Sequence, residues 1–169
     1  MRSINASLLA AALAAGVLAG PAVGGEGRIV HGRSIGPIAI GDERAAIAAR
    51  VGDGVVIARR PSARAPRNRN LDAVTVAYPR LALVVRFTTD EASAGASLIS
   101  TRAVRYRTIG GLGVGTTRAM VLAAYPRAAC GPTLCRVGPA VGDRRITRFS
   151  IAALVQRVDV LRESAASAA

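Results

Sequence analysis

Few side chains in this chain could carry out chemistry, and their spacing limits what that chemistry could be. His31 is the only histidine, and Cys130 and Cys135 are the only cysteines. One imidazole and two thiols cannot supply the four ligands of an ordinary zinc site. Lysine is absent, which removes Schiff-base and Ser–Lys mechanisms, and no Gly-x-Ser-x-Gly nucleophile elbow occurs. The carboxylates include two adjacent pairs, Asp42–Glu43 and Asp90–Glu91. Acid–base catalysis needs two carboxyl groups at a set separation across a cleft. Here the stretch TTDEAS around Asp90 reads as a turn, and Asp42 as a helix cap. No catalytic residue, metal site or cofactor is assigned, and the chain is read as a non-enzyme.

A glycine-rich stretch, TIGGLGVGTTRAMVLAAYP (108–126), has the outline of a phosphate-binding loop entering a helix. Gly110 and Gly115 have the Walker A interval, but Thr116 stands where the phosphate-reaching lysine belongs. A second stretch, SIGPIAIGDERAAIAARVG (34–52), keeps the interval with Gly36 and Gly41 and follows it with Asp42 and Glu43. Two carboxylates at a helix N-terminus would repel a phosphate instead of holding it. The outline recurs while the phosphate-binding residues do not, so its role is structural.

The two stretches belong to a longer internal repeat. Residues 28–49 align without gaps on residues 102–123, with identity at Arg28/Arg102, Val30/Val104, Arg33/Arg107, Ile35/Ile109, Gly36/Gly110, Gly41/Gly115, Arg44/Arg118, Ala45/Ala119 and Ala49/Ala123. Each copy reads as a short extended segment (Ile38 and Ile40; Leu112 and Val114), a turn at Gly41 or Gly115, and a helix capped by Asp42 or Thr116. The apolar helix stripes are Ile47, Ala48 and Val51 in one copy and Val121, Leu122 and Tyr125 in the other. Gly52 and Pro126 stop the helices. The repeated Arg44 and Arg118 sit near helix N-termini, where a cation is electrostatically unhelpful, so packing or ion pairing is expected of them. Strands follow: GVVIA, AVTVAY, LALVVRF and ASLIST in the first half, TLCRV, RITRFSIA and VQRVDVL in the second.

These patterns predict an α+β fold of two tandem units, each a short helix packed on an antiparallel sheet. The units span 25–101 and 102–163, between a leader at 1–24 and a frayed tail at 164–169. One unit is too small to bury much alone, so the halves should share a sheet or pack tightly. The leader carries Arg2, the apolar run LLAAALAAGVLAG and a small-residue Ala22-x-Gly24 site, the pattern of a secretory signal. The apolar run is shorter than the roughly 20 residues of a membrane span, so cleavage near Gly25 is favoured over a retained anchor. The expected location is secreted or periplasmic. In an exported chain Cys130 and Cys135, in CGPTLC, are expected to form a structural disulfide, because redox catalysis favours C-x-x-C spacing. Such a short loop contributes about 2 kcal/mol.

All 23 basic residues are arginine, against 10 acids, and the formal net charge is +13. Such a surplus attracts anionic polymers. The joint enrichment of Ala, Arg, Gly and Val also fits GC-rich coding, which is the favoured cause, and the electrostatic consequence holds either way. The segment 59–70 holds Arg59, Arg60, Arg64, Arg67 and Arg69 and could grip a polyanion. It has no aromatic residue to stack a base, so specific nucleic-acid binding is not expected. On the strands, Arg86, Arg148 and Arg157 are the candidate binding contacts of an exposed sheet face.

The repeated IGPIAIGDERAAIAARVG and IGGLGVGTTRAMVLAAYP resemble the Gly-x-x-Arg-Ala-x-[Ile/Val] helix entry of the β-lactamase inhibitor protein-like superfamily, which includes small outer-membrane assembly lipoproteins. The resemblance runs through nearly the whole chain after the leader by way of the repeat plan. It implies export, a helix-on-sheet scaffold in tandem copies, and binding without catalysis. The inhibitors grip their enzyme through an aromatic-rich sheet face, whereas this chain has no Trp, two Phe and three Tyr. The lipidated N-terminal cysteine of the assembly lipoproteins is also missing. Scaffold and export carry over, and no specific partner does. The expected function is an exported module binding a protein or cell-envelope component. The alternatives are a charge-driven binder of anionic envelope polymers or nucleic acid and, third, an envelope hydrolase using Asp90, Glu91 or His31.

Overall fold

The computed structural model describes residues 27–61, 72–138 and 144–162. The leader, the tail and Arg64, Arg67 and Arg69 lie outside the described residues. Within them, runs such as AVTVAY and LVVRF alternate in and out at the strand period, so that one face is apolar, whereas the edge run VVIARR is mostly exposed. Eight strands form one antiparallel sheet: β4 (Val55–Arg60), β5 (Ala73–Tyr78), β6 (Leu83–Phe87), β7 (Ala96–Thr101), β8 (Ala129–Cys130), β9 (Leu134–Val137), β10 (Arg145–Ile151) and β11 (Val155–Arg162). Their spatial order is β4-β5-β6-β7-β11-β10-β9-β8. Each half is therefore a meander in chain order, and the two meet last strand to last strand. At the seam Leu98 pairs with Leu161, Ile99 with Val160, Ser100 with Asp159 and Thr101 with Val158. A second, three-stranded sheet is made of β1 (Ile29–Val30), β2 (Ser34–Ile35) and β3 (Ile38–Ala39).

Two helices complete the fold, α1 (Arg44–Val51) and α2 (Arg118–Ala124), of eight and seven residues. The expectation of two α+β units, each a helix packed on its own sheet, is overturned. The chain is mostly β, with one sheet continuous across both halves and a second small sheet beside it. The physical reason is in the helix sequences: RAAIAARV and RAMVLAA are two turns long and poor in large apolar residues. Each buries a single side chain fully, Ile47 and Val121, while Leu122 of the expected apolar stripe is exposed, as is its neighbour Met120. Most of the burial comes from strand residues. Val74, Val76, Leu83, Val85, Phe87, Ile99, Phe149, Val158 and Val160 line one face of the large sheet and join Ile29, Ile35, Ile38, Ile47 and Val121 in one cluster. Each such side chain contributes roughly 1.5–3 kcal/mol of transfer free energy.

The two glycine turns are held alike. Gly41 N–H donates to the Ala96 carbonyl, and Ala96 N–H donates back to Asp42; Gly115 N–H donates to Val155, and Val155 N–H donates back to Thr116. In both halves the turn thus clips onto the first residue of the last strand. Gly41 and Gly115 have φ of 92° and 91° with open space where a Cβ would stand. Their glycine is required by backbone conformation, not crowding. The helix caps stand one residue later than expected. Glu43 and Thr117 hold the N-cap positions, and only Thr117 caps with its side chain, accepting from Met120 N–H. Asp42 instead accepts from Ala39 N–H and pairs with Arg50, and the Thr116 hydroxyl donates to the Gly113 carbonyl. The preceding turns differ. Gly36 takes positive φ in the first copy and Gly111 in the second. Ile35 is consequently buried, whereas Ile109 is 86% exposed.

Candidate binding surface

The buried apolar residues of both helices and of the small sheet all join the cluster on one face of the large sheet. The other face is built from the alternate strand positions. Strand pairing sets two rows across it: Arg86–Leu98–Leu161–Ile146, and Val84–Ser100–Asp159–Arg148–Arg136. Arg157 and Ser150 form a neighbouring pair. Most of these side chains are half-buried. Ile146 is buried but stands apart from the main cluster, so this face has an apolar strip of its own beside an arginine-rich one.

The structure places the three arginines expected on an exposed face, Arg86, Arg148 and Arg157, on this same face. It also shows what holds two of them. Asp159, with only 3% of its side chain exposed, accepts from Arg157 Nε at 3.2 Å and faces Arg148 Nη2 at 3.5 Å. Arg157 Nη2 donates in turn to the Ser150 hydroxyl at 3.3 Å. The carboxylate is thus enclosed by its own partners, and what the surface presents outward is guanidinium. Arg148 Nε is buried without an acceptor. Asp159 was not singled out from the sequence, although the spacing Arg157-x-Asp159 in a strand puts both side chains on one face.

The remaining candidates sit elsewhere. Arg44 donates to the Asp90 carboxylate and carbonyl, and Arg59 pairs with the same carboxylate. Arg118 donates to the Pro132 carbonyl. The repeated arginines therefore each tie a helix start to a strand-connecting loop, by different partners. Arg60 is exposed at the end of the edge strand β4. Cys130 and Cys135 form a disulfide between opposed residues of β8 and β9. His31 Nδ1 lies 2.8 Å from the Thr147 hydroxyl, and its ring is 5.7 Å from that of Tyr125. Burial lowers the His31 pKa from its ordinary value of 6.5, opposed in part by a backbone hydrogen bond at Gly138. Among the described residues no three His, Cys, Asp or Glu side chains gather as a metal site would need, and no helix is long and apolar enough to cross a membrane.

No family model, curated protein or solved structure matches the chain.

Proposed function

We propose that the chain is an exported, non-catalytic binding module whose arginine-rich sheet face docks on an acidic protein surface. One observation carries this reading: on that face Arg86, Arg148 and Arg157 outnumber the enclosed carboxylate of Asp159, which pairs with Arg148 and Arg157, and so leave net positive charge beside the apolar strip Leu98–Leu161–Ile146. A partner with carboxylates next to apolar residues matches both halves of the surface. Ion pairs formed there would set orientation and association rate, and the apolar strip would supply the salt-resistant part of the affinity. Export is supported by the leader pattern and by the Cys130–Cys135 disulfide, since such bonds persist in oxidising compartments. The matching turn hydrogen bonds support an origin of residues 28–49 and 102–123 in tandem duplication. The resemblance to the β-lactamase inhibitor protein-like superfamily points to the same class of activity, binding without catalysis.

The test is retention of partners from an envelope extract by the full chain, washed at low and at high salt. A discrete acidic protein kept at high salt, and lost from Arg86→Ser and Arg148→Gln, is the expected outcome. Retention unchanged in both variants would remove the sheet face from the reading. Loss of all bound material at high salt would leave charge alone, and binding of anionic polymers would replace the protein partner.

A further inference from the structure

A second feature lies away from the arginine-rich face. A cavity of about 370 Å³ is lined by Gly27, Pro37, Arg80, Leu81, Arg105 and Tyr106. Its walls are fixed by their own hydrogen bonds. The Tyr106 hydroxyl donates to the Leu81 carbonyl at 2.7 Å, and Arg105 Nη2 donates to the Arg80 carbonyl at 3.0 Å. The Arg105 guanidinium lies over the Tyr106 ring, 5.2 Å from its centroid, and Tyr106 as a whole is buried. Tyr106 is locked from behind as well, because a Cβ on Gly36 would come within 2.9 Å of its Cε1. Arg105 is thereby held in one orientation before any ligand arrives.

The electrostatics of the cavity are one-sided. Among the described residues two arginines line it and no carboxylate does. Among the described residues neither Arg80 nor Arg105 has an acidic partner, whereas Arg44, Arg50, Arg59, Arg148 and Arg157 all have one. An oxyanion placed between two such arginine residues would be favoured, because each guanidinium can bind it through paired N–H donors. The volume lies at the lower end of the range for small-molecule pockets, and Pro37 and Leu81 give it an apolar wall.

We propose that this cavity binds a small organic anion, its carboxylate or phosphate held between Arg80 and Arg105 and its apolar body against Pro37 and Leu81. The site is separate from the sheet face, and neither depends on the other. Calorimetric titration of the full chain with benzoate, phenyl phosphate and inorganic phosphate tests it, with amide chemical shifts followed in parallel. The expected result is saturable binding of benzoate or phenyl phosphate, with shift changes centred on Gly27, Leu81 and Tyr106. Arg80→Met and Arg105→Met should each weaken that binding at least tenfold, while Arg127→Met, an exposed arginine outside the cavity, should leave it unchanged. Arg80 is exposed, and among the described residues its side chain makes no hydrogen bond or ion pair, so its variant reports on the site even if the Arg105 variant unfolds. The proposal is overturned by absence of saturation with both organic probes, by equal weakening in Arg127→Met, or by full binding in Arg80→Met. Inorganic phosphate binding as tightly as phenyl phosphate would overturn the part assigned to Pro37 and Leu81.

Discussion

At the scale of single residues, charge pairing and solvation decide more than motif. Asp159 is the clearest case, because its enclosed carboxylate is what keeps two arginines of the second face in place. Asp159→Asn should lower stability by about 2 kcal/mol in urea unfolding. Breaking a fully buried pair costs more, but Arg148 and Arg157 keep contact with water, which screens the loss. His31 gives a second test. Its pKa is lowered from 6.5 in the folded chain by burial. Between the folded and unfolded values the unfolded chain binds more protons, so stability falls as pH falls through and below 6.5. His31→Gln should flatten that part of the stability profile between pH 7.5 and pH 5. The imidazole's isolation in the sequence already argued against a metal ligand. Its contact with Thr147 was not legible there, because the two residues are brought together only by the packing of the small sheet on β10.

At the scale of elements, the strands were the legible part. All seven segments read as strands from their β-branched residues form strands of the large sheet, and in LALVVRF the period-2 burial is written directly in Leu83, Val85 and Phe87. The helices were found at the right places, but their weight in the fold was overestimated. A capped, periodic stretch such as RAAIAARV fixes a helix without saying how much it covers, and α1 and α2 bury one side chain each. The β8–β9 hairpin carries a prediction of its own. Reduction of the Cys130–Cys135 disulfide should cost about 2 kcal/mol in the loop-entropy picture. It should also loosen α2, which is tied to that hairpin by the Arg118 bond to Pro132. Urea unfolding with and without reductant measures the first effect. Faster amide exchange across Met120–Ala124 in the reduced chain would report the second, and unchanged exchange would show that α2 is held by Val121 alone.

At the scale of the whole molecule, the two halves are one structure. They share the β7–β11 seam and one apolar cluster, so neither has a core that closes without the other. Ile99, fully buried at the seam opposite Val160, tests this. Ile99→Ala should cost about 2–5 kcal/mol, as cavity-forming substitutions do, and unfolding should remain a single transition by both near- and far-ultraviolet dichroism. Two separable transitions would mean that the halves are independent units. The seam carries Asp159 to the middle of the second face, where strand pairing sets Arg148 and Arg157 around it.

Sequence by itself determined the strand segments, the glycine turns, the cysteine pair and the absence of residues for lysine, zinc or phosphate-loop chemistry. These follow from local rules: side-chain alternation, backbone freedom at glycine, and residue types that chemistry cannot do without. Tertiary structure alone decided that the chain is mostly β and that one sheet runs through both halves. It also enclosed Asp159 between Arg148 and Arg157, and brought Arg80 and Arg105 to one cavity. Those outcomes depend on which strands pair across long stretches of chain, and on where turns such as Gly36 and Gly111 send the backbone. Nothing in the local periodicity encodes that choice, because strand order is set by burial of the whole apolar face at once.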